Sequence, residues 1–187
     1  VLDLLLARGA QVQEKESTDI TALMLASAYN PSTEILVHLL EGGADLEAVD
    51  SEDWTPLMFA SCFHPDPAVL EVLLASGAEV HRKSDRGVTA LMLAAYNRKP
   101  AHIGRRLLEA GAKVDVQDED GRTPLLYFAE YAEDPDAIRL LLEADSDLEQ
   151  GTEDGWNAFL LAAAYNPEVE VVDLLLEEGA SMDAIDE

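Results

Sequence analysis

The chain has 187 residues, with 38 acidic against 12 basic side chains and a net charge of −26 at pH 7, and 48% of its residues are hydrophobic. The hydrophobic share is enough for a buried core, which excludes a disordered acidic tail. A field this negative repels phosphate backbones and anionic lipid surfaces, so nucleic acid and membranes are poor partners. It favours a partner with a basic patch, although the same charge also suits a merely soluble surface.

Several other classes lack support in the sequence. No apolar run approaches the roughly 18 residues that a membrane-spanning helix needs. The single cysteine, Cys62, excludes a disulfide within the chain and does not fix the compartment. No phosphate-binding glycine loop or G-x-S-x-G motif occurs, and no carboxylate pair stands out as acid and base. We therefore expect no enzymatic activity, no metal and no cofactor.

A short motif recurs along the chain at a constant spacing of 34 residues. Its five occurrences start at residues 21, 55, 89, 123 and 157 and read TALM, TPLM, TALM, TPLL and NAFL. A Gly-Ala pair keeps the same register at 9, 43, 77, 111 and 179, and Asp145-Ser146 fill the remaining place. Two ladders at one period predict a repeat architecture.

Each unit is predicted to form a hairpin, a helix, a short turn and a second helix. The Thr or Asn that starts the motif can cap the first helix, and Pro or Ala suits its first position. The predicted first helices are 22–29, 56–63, 90–97, 124–131 and 158–165. The predicted second helices are 1–8, 33–41, 67–75, 101–109, 135–143 and 169–177, and the glycine of the Gly-Ala pair stops all of them except 135–143.

Three positions depart from this pattern. Asp145 replaces the glycine, so we expect an altered helix stop there. Gly104 lies inside a second helix, where glycine costs about 1 kcal/mol relative to alanine, and this makes the third unit the candidate for the weakest. The aromatic residue at the end of the first helix keeps the 34-residue spacing in the other units, but Tyr96 comes one residue early, which predicts a local difference in the third unit.

No unit can bury its own apolar face, so the units are expected to stack into a single domain over 1–187. The predicted division is a partial repeat at 1–19, repeats at 20–53, 54–87, 88–121 and 122–155, and an incomplete final repeat at 156–187. The first six residues include four leucines and lack the polar outer face of an end repeat. This predicts that the units belong to a longer array.

The Thr-Pro-Leu type of helix start, followed by a leucine-rich helix ending in Gly-Ala, resembles the ankyrin repeat over the whole chain. The resemblance implies an all-α repeat solenoid, an ankyrin stack of helix pairs with β-hairpin or loop tips. The usual period is about 33, so one residue is added here between the two helices. The fourth motif position usually holds His, and here it holds Met24, Met58, Met92, Leu126 and Leu160, so we expect apolar packing instead of the bonds of that His.

A further ladder precedes the motif and consists of Ile20, Trp54, Val88, Arg122 and Trp156. The resemblance places this position near the hairpin, on the concave side that commonly meets a partner. Trp and Arg are enriched at binding hot spots, which favours a contact surface. The alternative is that these side chains pack on neighbouring hairpins, and the sequence leaves both interpretations open.

An aromatic residue closes each first helix, at Tyr29, Phe63, Tyr96, Tyr131 and Tyr165. Such side chains suit either an interface or the turn between two helices. The turn role is favoured for the set, and Tyr96 and Tyr131 are kept as candidate partner contacts.

Two site-like patterns have simpler interpretations. Asp118-Glu119-Asp120-Gly121 resembles part of a calcium loop, but that pattern fails at Val116 and Tyr127, which favours a hairpin tip. Cys62 occupies a position that holds alanine in other units and is expected to be a small packed residue.

The sequence as a whole predicts a protein–protein interaction module that binds its partner on the concave face. The resemblance also allows a variant in which the module sequesters or inhibits an enzyme. The alternative is a structural spacer or docking arm of a larger protein. We expect a monomer whose partner is another protein, with neither nucleic acid nor membrane involved.

Overall fold

The computed structural model describes residues 19–97 and 99–183. Within these residues the chain forms ten α-helices, arranged as five pairs. The first helices of the pairs are α1 (Ala22–Tyr29), α3 (Pro56–Phe63), α5 (Ala90–Leu93), α7 (Pro124–Tyr131) and α9 (Ala158–Tyr165). The second helices are α2 (Thr33–Glu41), α4 (Pro67–Ala75), α6 (Pro100–Glu109), α8 (Pro135–Glu143) and α10 (Val169–Glu177). None of these helices is long and apolar enough to cross a membrane.

Local signals set most of these bounds, and the predicted ranges are confirmed for all but the third unit. The backbone of the motif threonine is extended, and its hydroxyl accepts a hydrogen bond from the N–H three residues later. In α3, for example, the Met58 N–H donates to the Thr55 hydroxyl over 3.3 Å. Asn157 caps α9 in the same way over 2.9 Å. The predicted helix 1–8 and the last residues of the predicted final repeat, 184–187, lie outside the described residues.

The third unit is wound differently. The predicted helix 90–97 is wrong, because α5 stops at Leu93 and a 3₁₀ turn covers Ala94–Tyr96. The tighter winding lets Asn97 end the turn one residue early. From there its side-chain amide donates to the carbonyl oxygens of Ser61 (2.9 Å) and His64 (2.8 Å) in the preceding unit. The second helix accordingly starts at Pro100, one residue before the prediction.

The helix pairs stack so that each helix packs on its counterparts in the neighbouring pairs. The first helices form one layer and the second helices form the other. The motif leucines lie between them, and Leu23, Leu57, Leu91 and Leu125 are all at most 2% exposed. A continuous core therefore runs along the array, as a repeat solenoid requires.

The substituted motif position packs as expected, with one addition. Met24, Met58, Met92 and Leu126 are buried, whereas Leu160 in the last described pair is half-buried. The sulfurs of Met24 and Met92 also accept the backbone N–H of the capping threonine, each over 3.3 Å. The prediction of apolar packing in place of the bonds of the histidine was thus incomplete, because two of the methionine sulfurs also accept hydrogen bonds.

The helix stop at Asp145 is not altered, contrary to the prediction. Asp145 takes the positive φ (65°) that glycine takes at Gly111 (92°). Its N–H donates to Leu142 over 3.0 Å, as that of Gly111 does to Leu108 over 2.9 Å. Aspartate is one of the few residues with a side chain that tolerates this left-handed conformation, so the backbone geometry is preserved.

Gly104 has a packing reason in the structure. A Cβ at this position would lie 3.3 Å from the Leu140 Cδ2 and 3.5 Å from the Phe128 Cζ. Phe128 is fully buried. Helix α6 can lie this close to α7 and α8 because Gly104 has no side chain. The close packing of the three helices therefore offsets the cost of a glycine inside a helix.

Candidate partner-binding surface

In the described part of the chain, four hairpin tips project beside the first helices and share one construction. They cover residues 50–53, 84–87, 118–121 and 152–155. In the third tip the Asp118 carboxylate accepts the backbone N–H of Asp120 (2.9 Å) and Arg122 (2.8 Å). Its other oxygen accepts the Tyr127 hydroxyl over 2.7 Å. Asp118 therefore organises a hairpin tip, which confirms that interpretation of the calcium-like segment.

The tips form hydrogen bonds with one another as well as with their own helices. The Asp85 N–H donates to the Glu52 carbonyl over 3.2 Å, and the Glu119 N–H donates to the Arg86 carbonyl over 3.0 Å. Gly87 has a φ of 77°, and a Cβ there would lie 3.1 Å from the Asp118 Cα. Backbone hydrogen bonds thus join the first three tips in series. Together with the first helices the tips form the surface that we call the hairpin face.

A groove on the hairpin face brings three predicted contact residues together. It has a volume of about 530 Å³, and its lining includes Trp54, Val88 and Tyr96. Tyr127 closes the same groove from the fourth unit. This groove, between the first and second tips, is called the tryptophan groove below.

Trp54 belongs both to the core edge and to this groove. It is half-buried, with its ring centroid 5.7 Å from that of Phe59 in an edge-on arrangement and 6.3 Å from that of Phe63 in a stacked one. Ile20 packs against the same cluster with Met24. Ile20 therefore packs on neighbouring residues, as the alternative interpretation predicts. Trp54 packs there only in part, and it also lines the groove.

Arg122 is held by groups of its own unit. Its guanidinium forms an ion pair with Glu130 and lies 5.1 Å from the centroid of the Tyr127 ring. Both charged side chains are largely buried, at 20% and 12% exposure. The cation is thus already matched within the chain, and any partner contact would use the edge of the guanidinium that remains exposed.

Trp156 lines a second, shallower groove with Arg122, of about 340 Å³. The Trp156 side chain is 37% exposed and its ring centroid lies 5.9 Å from that of Tyr165. The ladder is therefore not one continuous strip: Trp54 and Val88 line one groove, Arg122 and Trp156 line its neighbour, and Ile20 lines neither.

Tyr96 and Tyr131 form a close pair, with ring centroids 4.4 Å apart. They remain 46% and 36% exposed. Burial, followed by a hydrogen bond with Tyr131, raises the pKa of the Tyr96 hydroxyl above its ordinary range. Burial and the bond to Asp118 raise the pKa of Tyr127 in the same direction. Tyr96 and Tyr127 therefore stay neutral at physiological pH, and all three rings offer apolar area with a polar edge.

Comparison with family models identifies the fold. A model of ankyrin repeats matches the chain in three copies, over residues 1–84, 62–148 and 91–186. The chain belongs to the ankyrin-repeat family. Ankyrin repeats are generally protein–protein interaction modules. The comparison with curated proteins finds no match.

Some residues of this ankyrin surface were missed by the sequence reasoning. Tyr127 and Glu130, which hold Arg122, come from the face of α7 turned toward the tip. Helical spacing offers a signal, because residues 127 and 130 are three apart and share one side of the helix. Glu52 and Asp85 were also overlooked, since carboxylates occur throughout so acidic a sequence.

Charge is distributed unevenly over the ankyrin array. Segment 82–113 contains eight of the twelve Lys and Arg residues and only two acidic ones, and we call it the basic segment. Several of its cations pair with carboxylates of adjacent units, as Arg86 does with Asp120 (2.9 Å) and Arg106 with Glu71 (3.0 Å). Three of the four tips carry acidic side chains and no basic ones. The hairpin tips therefore carry a net negative charge.

Cys62 lies against the tryptophan groove without being an accessible nucleophile. Its side chain is 7% exposed. Burial raises the pKa of the thiol to about 11, so it stays protonated at neutral pH. This agrees with the predicted role of a small packed residue.

Proposed function

We propose that this chain is an interaction module that binds another protein through its hairpin face. The observation that carries the proposal is the tryptophan groove, which gathers Trp54, Val88 and Tyr96 beside exposed aromatic rings. Large aromatic side chains around a groove provide contact area at a low entropic cost. The tied hairpin tips present this surface with little need for rearrangement.

The proposed partner carries a basic patch. The hairpin tips are rich in carboxylates, and the net charge of the chain is −26. Complementary charge speeds association more than it tightens the complex, so the effect is expected mainly in the association rate. A partner that is an enzyme, held by the module in an inactive complex, is one form of this proposal.

The test compares the hairpin face with the opposite layer of helices. Tyr96→Ala and Trp156→Ala remove one exposed aromatic side chain from each groove, at 46% and 37% exposure. Val37→Ala and Leu176→Ala, at 39% and 41% exposure on α2 and α10, are matched controls. Partners captured from the source cells are identified by mass spectrometry and titrated against all four variants, with melting curves as a folding control.

We expect Tyr96→Ala and Trp156→Ala to weaken binding about tenfold each, as moderate hot spots do, and the controls to change it little. Equal affinity in all four folded variants would contradict the proposed surface and favour a spacer or docking arm. The association rate should fall steeply between about 50 mM and about 300 mM salt, because the Debye length shortens over that range. A rate independent of salt would contradict the basic partner.

A further inference from the structure

The tryptophan groove combines aromatic walls with carboxylates at its rim. Trp54, Tyr96 and Tyr127 contribute rings to its lining, and Glu52 and Asp85 contribute side chains from two adjacent tips. The backbone bond from Asp85 to Glu52 holds these two tips together over 3.2 Å. At about 530 Å³ the groove lies within the size range of ligand sites.

The two rim carboxylates are available to an incoming group. Both side chains are exposed, and in the described part of the chain neither carboxylate takes part in an ion pair or a side-chain hydrogen bond. The groove lining also includes the cation Arg86, but its guanidinium is paired with Asp120 of the next tip over 2.9 Å. The charge at the rim therefore remains negative.

The chain itself shows how a cation is held on this face. In the fourth unit the Arg122 guanidinium lies 5.1 Å from the Tyr127 ring centroid and pairs with the Glu130 carboxylate. The tryptophan groove offers the same two chemical elements, an aromatic ring and a carboxylate. The equivalent positions in the second and third units are Trp54 and Val88, which supply no cation of their own.

We propose that the tryptophan groove binds the side chain of a lysine or arginine from the partner protein. This rests on the proposed function and specifies which group of the partner enters the groove. An aromatic ring attracts a cation through its quadrupole, and the effect grows with desolvation. A neutral side chain in the same place would leave the carboxylates without a partner, and an acidic one would be repelled by them.

The test uses short peptides and the two tryptophans as reporters. The probe is acetyl-Gly-Gly-Arg-Gly-Gly-amide, and its control carries citrulline, which keeps the shape of arginine but not its charge. Lysine and norleucine peptides form a second pair. Because the chain has two tryptophans, the indole N–H signals of Trp54 and Trp156 can be followed separately by nuclear magnetic resonance.

The protein variants separate the rim from the overall field. Glu52→Gln with Asp85→Asn removes two negative charges at the groove. Glu79→Gln with Asp115→Asn removes the same charge from exposed positions that do not line it. All four substitutions keep the size of the side chain, and melting curves check that both double variants fold.

We expect the arginine and lysine peptides to shift the Trp54 signal with Kd values of about a millimolar, and the neutral peptides to bind at least about fivefold more weakly. The rim variant should raise the Kd about five- to tenfold and the control variant less than about twofold. Equal binding of arginine and citrulline peptides, or equal loss in both variants, would overturn the inference. If the captured partner loses affinity with Trp156→Ala yet ignores the rim variant, the groove assignment fails and the proposed function stands.

Discussion

The side-chain amide of Asn97 donates to the carbonyl oxygen of His64 over 2.8 Å, and the His64 imidazole in turn lies 3.1 Å from the carbonyl oxygen of Asn30. Each of these residues ends a first helix or its 3₁₀ extension. The side chains of Asn97 and His64 therefore bridge three consecutive units by satisfying carbonyls that a helix end leaves free. Asn166 repeats the arrangement toward Ala129 and Ala132, both over 2.9 Å.

Asn97→Ala should lower the free energy of unfolding by about 1–3 kcal/mol. The substitution leaves the buried carbonyls of Ser61 and His64 without these donors, which costs more than the net value of a hydrogen bond. Asn30→Ala is the matched control, because the Asn30 side chain accepts the local N–H of Ser32 over 2.9 Å and, among the described residues, bonds to no other unit. Urea unfolding of both variants measures the difference. Equal losses would show that the bridging bonds contribute nothing.

Met92→Leu should destabilise the chain by about 0.5–1 kcal/mol more than Met58→Leu. Both methionines are at most 1% exposed, so the change in packing is comparable. The Met92 sulfur accepts the Thr89 N–H over 3.3 Å, and α3 has no such reciprocal bond at its start. Thermal unfolding compares the two variants. A larger loss for Met58→Leu would refute the capping role of the sulfur.

Gly104→Ala should bring no net stabilisation. The gain in helix propensity of about 1 kcal/mol is opposed by a Cβ placed 3.3 Å from the Leu140 Cδ2. Gly104→Val should lower the free energy of unfolding by about 2–3 kcal/mol, while Ala75→Val at an exposed end of α4 should cost less than about 1 kcal/mol. A clear gain for Gly104→Ala would mean that Leu140 and Phe128 yield without strain.

Cys62 should react with thiol reagents at least about a hundredfold more slowly in the folded chain than in denaturant at about pH 8. The thiol pKa is raised from 9.0 to about 11, and only the thiolate is nucleophilic. Because the folded pKa lies higher, the rate should keep rising with pH beyond the point where the unfolded chain levels off. The single cysteine makes the rate unambiguous. A plateau near pH 9 in the folded chain would contradict the raised pKa.

The sequence predicts this fold well wherever a local signal sets the geometry. The bounds of α1, α3, α7 and α9 follow from a capping Thr or Asn at one end and the turn at the other. The third unit could not be predicted, because its 3₁₀ turn accompanies bonds from Asn97 to carbonyls 33 and 36 residues earlier. No pattern within the unit records those partners.

The candidate surface was predictable in its positions but not in its pairings. The spacing of 34 residues is enough to place Trp54, Val88 and Trp156 in one ladder. It could not show that Arg122 is matched by Glu130 and Tyr127, because that depends on which face of α7 meets the tip. The division of the ladder into two grooves arises in the same way, from side-chain packing across units.

The basic segment makes the units unequal despite their common fold. Through it Arg82 approaches Glu47 at 4.0 Å on one side and Arg86 reaches Asp120 on the other. Excising residues 88–121 would preserve the 34-residue phase, yet it would remove five of these cations, including Arg106, which pairs with Glu71 of the preceding unit. The order of the units therefore decides which opposite charges meet, because each of these ion pairs joins two neighbouring units.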